Sequence, residues 1–336
     1  MSRTKIGIAG LGRIGQVHLQ NLVTRLPLGE VVAVSDPVEA GRETAAGLGI
    51  EGVHADYEAL VADESIEAVL ICSPTDTHAD FLLQAVARGK AVFCEKPLDL
   101  SLARAREVAA EVERTRGRVM VGFNRRFDPG FHKIRNQVQA GEIGRPTLVR
   151  ITSRDPSPPP IDYVKRSGGM FMDMTIHDFD MARYLMGGQE VEEVFACGAN
   201  LIDPAIGEAG DIDTASILLR FADGATATID NSRQAVYGYD QRLEVFGPKG
   251  LKLGGNRTDD SVVTMNAGGE TGPLPQAFFM ERYAESYLLE IEAFLEAVRT
   301  GAPMPADCQD GVAAIVLAEA ANISMAENRP VPVASV

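Results

Sequence analysis

Over the first 123 residues, short apolar runs alternate with longer stretches in which apolar residues return every three or four positions. The runs Lys5–Ala9, Val31–Ser35, Ala68–Cys72, Ala91–Cys94 and Val119–Phe123 are four or five residues long and dominated by Val, Ile, Ala and Gly. Strands that are apolar at nearly every position belong in a parallel sheet covered on both faces. Between them, the stretch running to about Leu26, then Tyr57–Asp63, Ala79–Arg88 and Leu102–Arg116, read as helices, with Gly89 ending the third. This alternation predicts an α/β domain of Rossmann type.

Beyond Phe123 the pattern changes. His132–Ala140 reads as a helix closed by Gly141, and then strands follow one another: Thr147–Ser153, Val191–Asn200, Ala215–Phe221, Ala225–Asp230, Arg242–Phe246 and Leu251–Leu253. Asp223-Gly224 and Pro248-Lys249-Gly250 supply hairpin turns. One helix interrupts the strands, from Gly168-Gly169 to about Leu185, with Gly187-Gly188 as its C-cap. Near the end, Glu281–Arg299 carries Tyr283, Tyr287, Ile291, Phe294 and Val298 on one stripe, and Val312–Met325 is a last helix. The expectation is a dinucleotide-binding domain over residues 1–123 and a substrate-binding and oligomerisation domain over 124–336. The second is α+β, with a largely antiparallel open-faced sheet.

Composition narrows the function. The chain has 336 residues and a net charge of 32 − 47 = −15, so nothing supplies a basic stripe for nucleic acid or an anionic membrane surface. No apolar run reaches the length of a membrane span. Met1-Ser2-Arg3-Thr4-Lys5 leads straight into a strand with no signal-peptide region. Cys72, Cys94, Cys197 and Cys308 are far apart and read as reduced thiols of a cytoplasmic protein. The five histidines are dispersed, so no metal site is expected.

The chemistry starts at Gly10-Leu11-Gly12-Arg13-Ile14-Gly15, a G-x-G-x-x-G between a strand and a helix. The first glycine permits the turn, the second lets a pyrophosphate approach the backbone, and the third lets helix and strand pack closely. Asp36 ends the next strand, where an acid accepts from an adenosine ribose and repels a 2′-phosphate, so NAD is favoured over NADP. Arg13 in the glycine loop would tolerate that phosphate. Ligands of open α/β sheets bind beyond the carboxyl ends of the strands. That places Ser73, Thr75 and His78 beside the cofactor, although His78 serves equally well to open its helix. Glu95-Lys96-Pro97 reaches the same edge. A lysine there is readily tuned by desolvation, and the proline, if cis, fixes where it points. In the second domain Asp173, His177 and Asp180 follow helical spacing, with Met170, Met174, Phe179 and Met181 opposite. An Asp one turn before a His suits a general base. The proline-rich stretch Pro156–Pro160 reads as a rigid wall or lid.

Taken together, these residues resemble the glucose–fructose oxidoreductase / inositol dehydrogenase family, and within it the inositol branch. The marks are the glycine motif, Cys94-Glu95-Lys96-Pro97, Val121-Gly122-Phe123-Asn124-Arg125-Arg126-Phe127-Asp128, the Asp173 and His177 pair, and Tyr237-Gly238-Tyr239-Asp240. The resemblance implies a catalytic group of Lys96, Asp173 and His177, with Arg126, Asp155 and Tyr237 as further substrate contacts. It implies NAD-dependent oxidation of a cyclic polyol, inositol to inosose. The alternatives are another sugar, scyllo-inositol or an aldose, and a non-catalytic NAD-binding regulator. The open sheet makes a homo-oligomer, tetramer or dimer, the expected assembly.

Overall fold

The computed structural model describes residues 3–336. Met1 and Ser2, and with them part of the expectation that no leader precedes the first strand, lie outside the described residues. The chain runs β1 (Thr4–Ala9), α1 (Arg13–Thr24), β2 (Gly29–Ser35), α2 (Glu39–Gly47), β3 (Gly52–His54), α3 (Tyr57–Ala62), β4 (Ala68–Ile71), α4 (His78–Ala87), β5 (Ala91–Glu95), α5 (Leu102–Thr115) and β6 (Val119–Gly122). It continues α6 (Pro129–Gln139), β7 (Leu148–Arg154), α7 (Ile161–Val164), α8 (Ile176–Leu185), β8 (Val191–Ala199), α9 (Pro204–Glu208), β9 (Thr214–Phe221), β10 (Thr226–Ser232), β11 (Asp240–Gly247) and β12 (Gly250–Gly254). A small hairpin of β13 (Thr264–Asn266) and β14 (Gly269–Thr271) precedes α10 (Phe279–Arg282), α11 (Ala284–Thr300), α12 (Cys308–Glu327) and β15 (Val331–Pro332).

The first sheet has the order β3-β2-β1-β4-β5-β6, and every pair in it is parallel. Its strands are apolar on both faces, and Ile6, Ile8, Val34, Leu70 and Phe93 are fully buried between the flanking helices. The strand order reverses between β1 and β4, which opens the crevice where such sheets bind ligands.

The expected contiguous division at residue 123 differs from the observed one. One compact unit comprises Met1–Phe127 with Ser286–Ile315, the other Asp128–Glu285 with Val316–Val336. The reason is apolar burial. Ile291, Phe294 and Leu295 of α11 join the core of the first sheet, and the backbone N–H of Val121 on β6 donates to Ala306 at 2.9 Å. The late segment thereby covers a sheet face and satisfies an edge strand.

The second unit is built on seven strands in the order β12-β11-β7-β10-β9-β8-β15. Asp223-Gly224 turns β9 into its antiparallel partner β10, and Pro248-Lys249 turns β11 into β12, as the turn residues predict. The sheet is mixed, because β7 and β10 pair in parallel. The chain between these two strands passes through α7, α8, β8, α9 and β9, and so returns to β7 in the same direction. α8 packs on β7 on one face, while the other face stays open. Asp128 caps the N-terminus of α6 by accepting from Gly130 and Phe131, and pairs with buried Arg282 at 2.5 Å.

Phe294→Ala removes a fully buried ring from the core of the first unit, and a cavity of that kind costs about 3–5 kcal/mol. Urea unfolding followed by circular dichroism measures it. A loss below about 1 kcal/mol would mean that α11 only lies on the surface of that core.

Candidate functional site

The glycine turn in the first unit has the properties a dinucleotide needs. Gly10 has φ of +89°, and a Cβ there would lie 2.6 Å from the Ser73 backbone, so the turn packs directly on the loop after β4. A Cβ at Gly15 would meet the Gly10 carbonyl at 2.0 Å, whereas one at Gly12 would meet nothing within 4 Å. The first and third glycines are thus demanded by packing, and the second leaves open space. No side chain caps α1, so its N-terminal N–H groups are not taken by a capping residue. Asp36 holds the turn from β2, accepting from Leu11 N–H at 2.5 Å and Val38 N–H at 2.7 Å. Each carboxylate oxygen keeps a lone pair for a ribose hydroxyl. Arg42 of α2, not singled out by sequence, donates to the Asp36 and Pro37 carbonyls. These residues fit NAD: an open cradle at a helix N-terminus, with an anchored acid beside it.

Ser73 and Thr75 lie in the loop against Gly10, and the Ser73 and Thr77 hydroxyls are 2.6 Å apart. His78 is 1% exposed, with Nδ1 2.7 Å from the Pro97 carbonyl and Nε2 2.9 Å from the Ser73 carbonyl. It opens α4, as one of its two sequence readings has it, and braces two loops together. Lys96 follows β5, half-buried, at the carboxyl edge of the sheet, and the Lys96–Pro97 peptide is cis. Glu95 accepts from or donates to the His18 ring at 3.1 Å. Dispersed histidines gave no hint that His18, Glu95 and Glu290 bring ligand atoms within 4.8 Å of one another. Arg126 is buried within this unit, its Nη1 donating to the Pro305 carbonyl and to Asp310.

In the second unit the site grows around Asp173. One carboxylate oxygen accepts from the Tyr163 hydroxyl at 2.7 Å, and the other pairs with Arg233 Nη1 at 2.9 Å. The same nitrogen lies 3.4 Å from Asp155 Oδ2. Arg233 therefore brings together Asp155 and Asp173, which sequence proposed separately, while Arg233 and Tyr163 themselves went unnoticed. Arg233 follows β10 and lies far from Asp173 in sequence, so no local spacing could reveal it. Burial, with Asp173 nearby, pushes the Tyr163 phenol well above its usual range, so the group stays a donor.

His177 is half-buried at the start of α8. Its neighbours fix it to the sheet: Thr175 donates to Asn231 Oδ1 at 2.5 Å, and Asn231 Nδ2 donates to Asp178 at 2.9 Å. Asp180 follows His177 by three residues on the regular helix, but Asp173 is out of register with them. Asp173 sits in a π-helical turn, Phe171–Thr175, which breaks the regular spacing, and Asp180 is 1% exposed. Tyr237 belongs to another network, donating to Asp240 at 2.6 Å and accepting from Arg154.

Removing Arg233 leaves two facing carboxylates without their cation. Arg233→Ala is expected to cost about 3–5 kcal/mol, and Arg233→Lys less, in urea unfolding at neutral pH. An alanine variant within about 1 kcal/mol of the parent would show that water screens these pairs.

A parallel sheet of this order with its glycine turn and acid, in one chain with an open sheet carrying an Asp and His segment, defines a two-domain dinucleotide-dependent oxidoreductase. The chain belongs to the GFO/IDH/MocA family. The family model described as "Oxidoreductase family, NAD-binding Rossmann fold" matches residues 4–123, and that of the GFO/IDH/MocA C-terminal domain matches 131–251. NAD is the cofactor of the first domain. The chain is 48% identical to the myo-inositol 2-dehydrogenase of Thermotoga maritima, over 97% of this chain and 98% of that one. It is 49% identical to the inositol 2-dehydrogenase of Rhizobium meliloti, over 98% and 99%. The crystal structure of scyllo-inositol dehydrogenase from Lactobacillus casei with bound NAD(H) and scyllo-inositol superposes with a TM-score of 0.92 at 32% identity, covering 99% of this chain and 100% of that one. Among the described residues, no helix is long and apolar enough to cross a membrane.

Proposed function

We propose that this oxidoreductase oxidises an inositol to an inosose, with Lys96, Asp173 and His177 as its catalytic residues. The observation that carries the reading is Asp173, held by Arg233 and Tyr163 four residues before His177. Near-full-length similarity to enzymes named for inositol supports the substrate class. Bound NAD supplies the acceptor for the hydride. His177 takes the hydroxyl proton as the carbon–hydrogen bond breaks. Lys96 hydrogen-bonds the reacting oxygen and holds it as it becomes a carbonyl. Asp173, its own charge balanced by Arg233, stabilises the protonated imidazole. The pyrophosphate sits on Gly10, Gly12, Arg13, Ile14 and Gly15, the adenosine ribose on Asp36, and the remainder runs past Ser73 and Thr75 towards Glu95. Asp155, joined to Asp173 through Arg233, contacts a further hydroxyl, and Arg126 and Tyr237 are the other substrate contacts of this reading. A polyol carries no charge, so many hydrogen-bonding groups must recognise it.

A panel of inositols and aldoses with NAD, read by absorbance of the reduced cofactor, tests the substrate. Turnover of myo-inositol supports the proposal, turnover of scyllo-inositol or an aldose alone would move specificity to the loop around Asp155, and none at all would favour an NAD-binding regulator. With the substrate in hand, Lys96→Ala is expected to cut kcat on the order of a hundredfold while leaving NAD affinity within about twofold. Near-parental turnover would remove Lys96 from the mechanism.

The enzyme works in the cytoplasm as a homo-oligomer, tetramer or dimer, paired through the open face of its sheet. Four unpaired thiols support the compartment. The assembly is supported by strand register, which aligns Leu251, Phe246 and Leu148 across β12, β11 and β7, with Leu253 (66% exposed) one pair further along β12. Such a contiguous apolar row is costly to leave in water. Phe246→Asp with Leu253→Asp should release monomers in light scattering. An unchanged mass would place the interface elsewhere.

A further inference from the structure

Behind the edge that carries Lys96, the first unit buries a trio of titratable groups that the reaction does not use. His18 of α1 and Glu290 of α11 are both 0% exposed, and the Glu95 side chain at the end of β5 is 15% exposed. His18 Nε2 lies 3.1 Å from Glu95 Oε1 and 3.8 Å from Glu290 Oε1. Both oxygens of Glu290 and Nδ1 of His18 are buried without a hydrogen-bond partner. Phe93 and Tyr287 set their rings edge-on to the imidazole, and burial keeps the Cys72 and Cys94 thiols protonated.

Two carboxyls and an imidazole so close and so dry do not hold two uncompensated negative charges. The deeper carboxyl takes the proton. Burial pushes Glu290 well above the usual carboxylate range, and the charge of Glu95 adds to that. Glu95 has the better position for the charge, with the imidazole N–H on one oxygen and partial exposure at the strand end. Its other oxygen would lie 3.1 Å from a Cβ at Gly122, so β6 keeps a bare backbone to make room for it.

Sheet order says where this charge acts. Asp36 on β2 marks the adenosine half of the crevice, which leaves the side of β4, β5 and β6 for the nicotinamide. We propose that His18 and Glu290 are positioning residues that keep the single negative charge of the trio on Glu95, where it favours the oxidised, cationic nicotinamide over the reduced, neutral one. The proposal rests on the placement of Glu95 at the nicotinamide end and is independent of which polyol is oxidised.

The readout is the ratio of dissociation constants for NADH and NAD on the full chain without substrate, NADH by fluorescence titration and NAD by calorimetry. Glu95→Gln is expected to lower the ratio about tenfold, the effect of one unit charge near the ring at an intermediate dielectric. His18→Leu strips the donor from Glu95 and should lower it as much. His18→Gln restores an amide donor and should stay within about twofold of the parent. His18→Asn, whose amide is too short, replaces the leucine variant if that does not fold. Glu290→Gln mimics the neutral acid and should also stay within about twofold. An unchanged ratio in Glu95→Gln would overturn the placement of Glu95. A shift there without one in His18→Leu or His18→Asn would remove the positioning role. A tenfold shift in Glu290→Gln would put the charge on Glu290 and overturn the proposal.

Discussion

Six strands that are apolar on both faces can be buried only if helices cover both sides, and helical crossovers force those strands to run parallel. Everything the first unit does follows from that constraint. Parallel strands end at a common edge, so the glycine turn after β1, Asp36 after β2, Ser73 after β4 and Lys96 after β5 gather there, although they are spread over the sequence. The reversal of strand order between β1 and β4 then parts the loops and opens the crevice they line. The cover itself is completed by a late segment. α11 fills a face of the sheet with Ile291, Phe294 and Leu295, and delivers Glu290 to His18 and Glu95 in doing so. One helix serves both packing and charge.

An acidic chain that needs carboxylates at its site must hold each of them with donors. Asp36 is held by two backbone N–H groups, Asp173 by an arginine and a phenol, and Glu95 by a buried imidazole. Asp213 shows the same solution without a catalytic role. Burial would raise its carboxyl, yet backbone N–H groups of Leu201, Ile202 and Asp203 outweigh that and hold it below the usual range. In each case the donor arrives from another element, which fixes the carboxylate's direction as well as its charge.

The sequence disclosed what is periodic or local. Five strands of the first sheet, the glycine turn, the acid after β2 and the hairpins at Asp223-Gly224 and Pro248-Lys249 were readable, because each is written in consecutive residues; the three-residue edge strand β3 was too short to show a pattern. The parallel pairing of β7 and β10 was not, since it is a property of a path through five intervening elements. Nor was the break at residue 285: an amphipathic stripe says that α11 buries a face, and nothing in it says against which sheet. Arg233, Tyr163, His18 and Glu290 escaped for the same reason, as partners across long sequence separations. For His78 the position carried two readings, a residue beside a ligand and a helix opener, and the two carbonyls that flank its ring add a brace that neither contains.

The helical spacing of Asp173, His177 and Asp180 went astray where the backbone itself departs from regular geometry. A π-helical turn at Phe171–Thr175 offsets Asp173 from the helix that carries His177 and Asp180, and Asp180 is buried. The turn is held rather than loose. Thr175 and Asp178 on either side of His177 both bond to Asn231 of β10, and Arg233, two residues on, holds Asp173. One strand end thus fixes Asp173 and the residues flanking His177 independently, through separate hydrogen bonds, without asking the helix to supply their spacing. A regular α-helix would have set the two side chains one turn apart and left no freedom in the distance between them. With the offset, Asp173 reaches Arg233 and Tyr163 while His177, on the regular helix, stays half-buried.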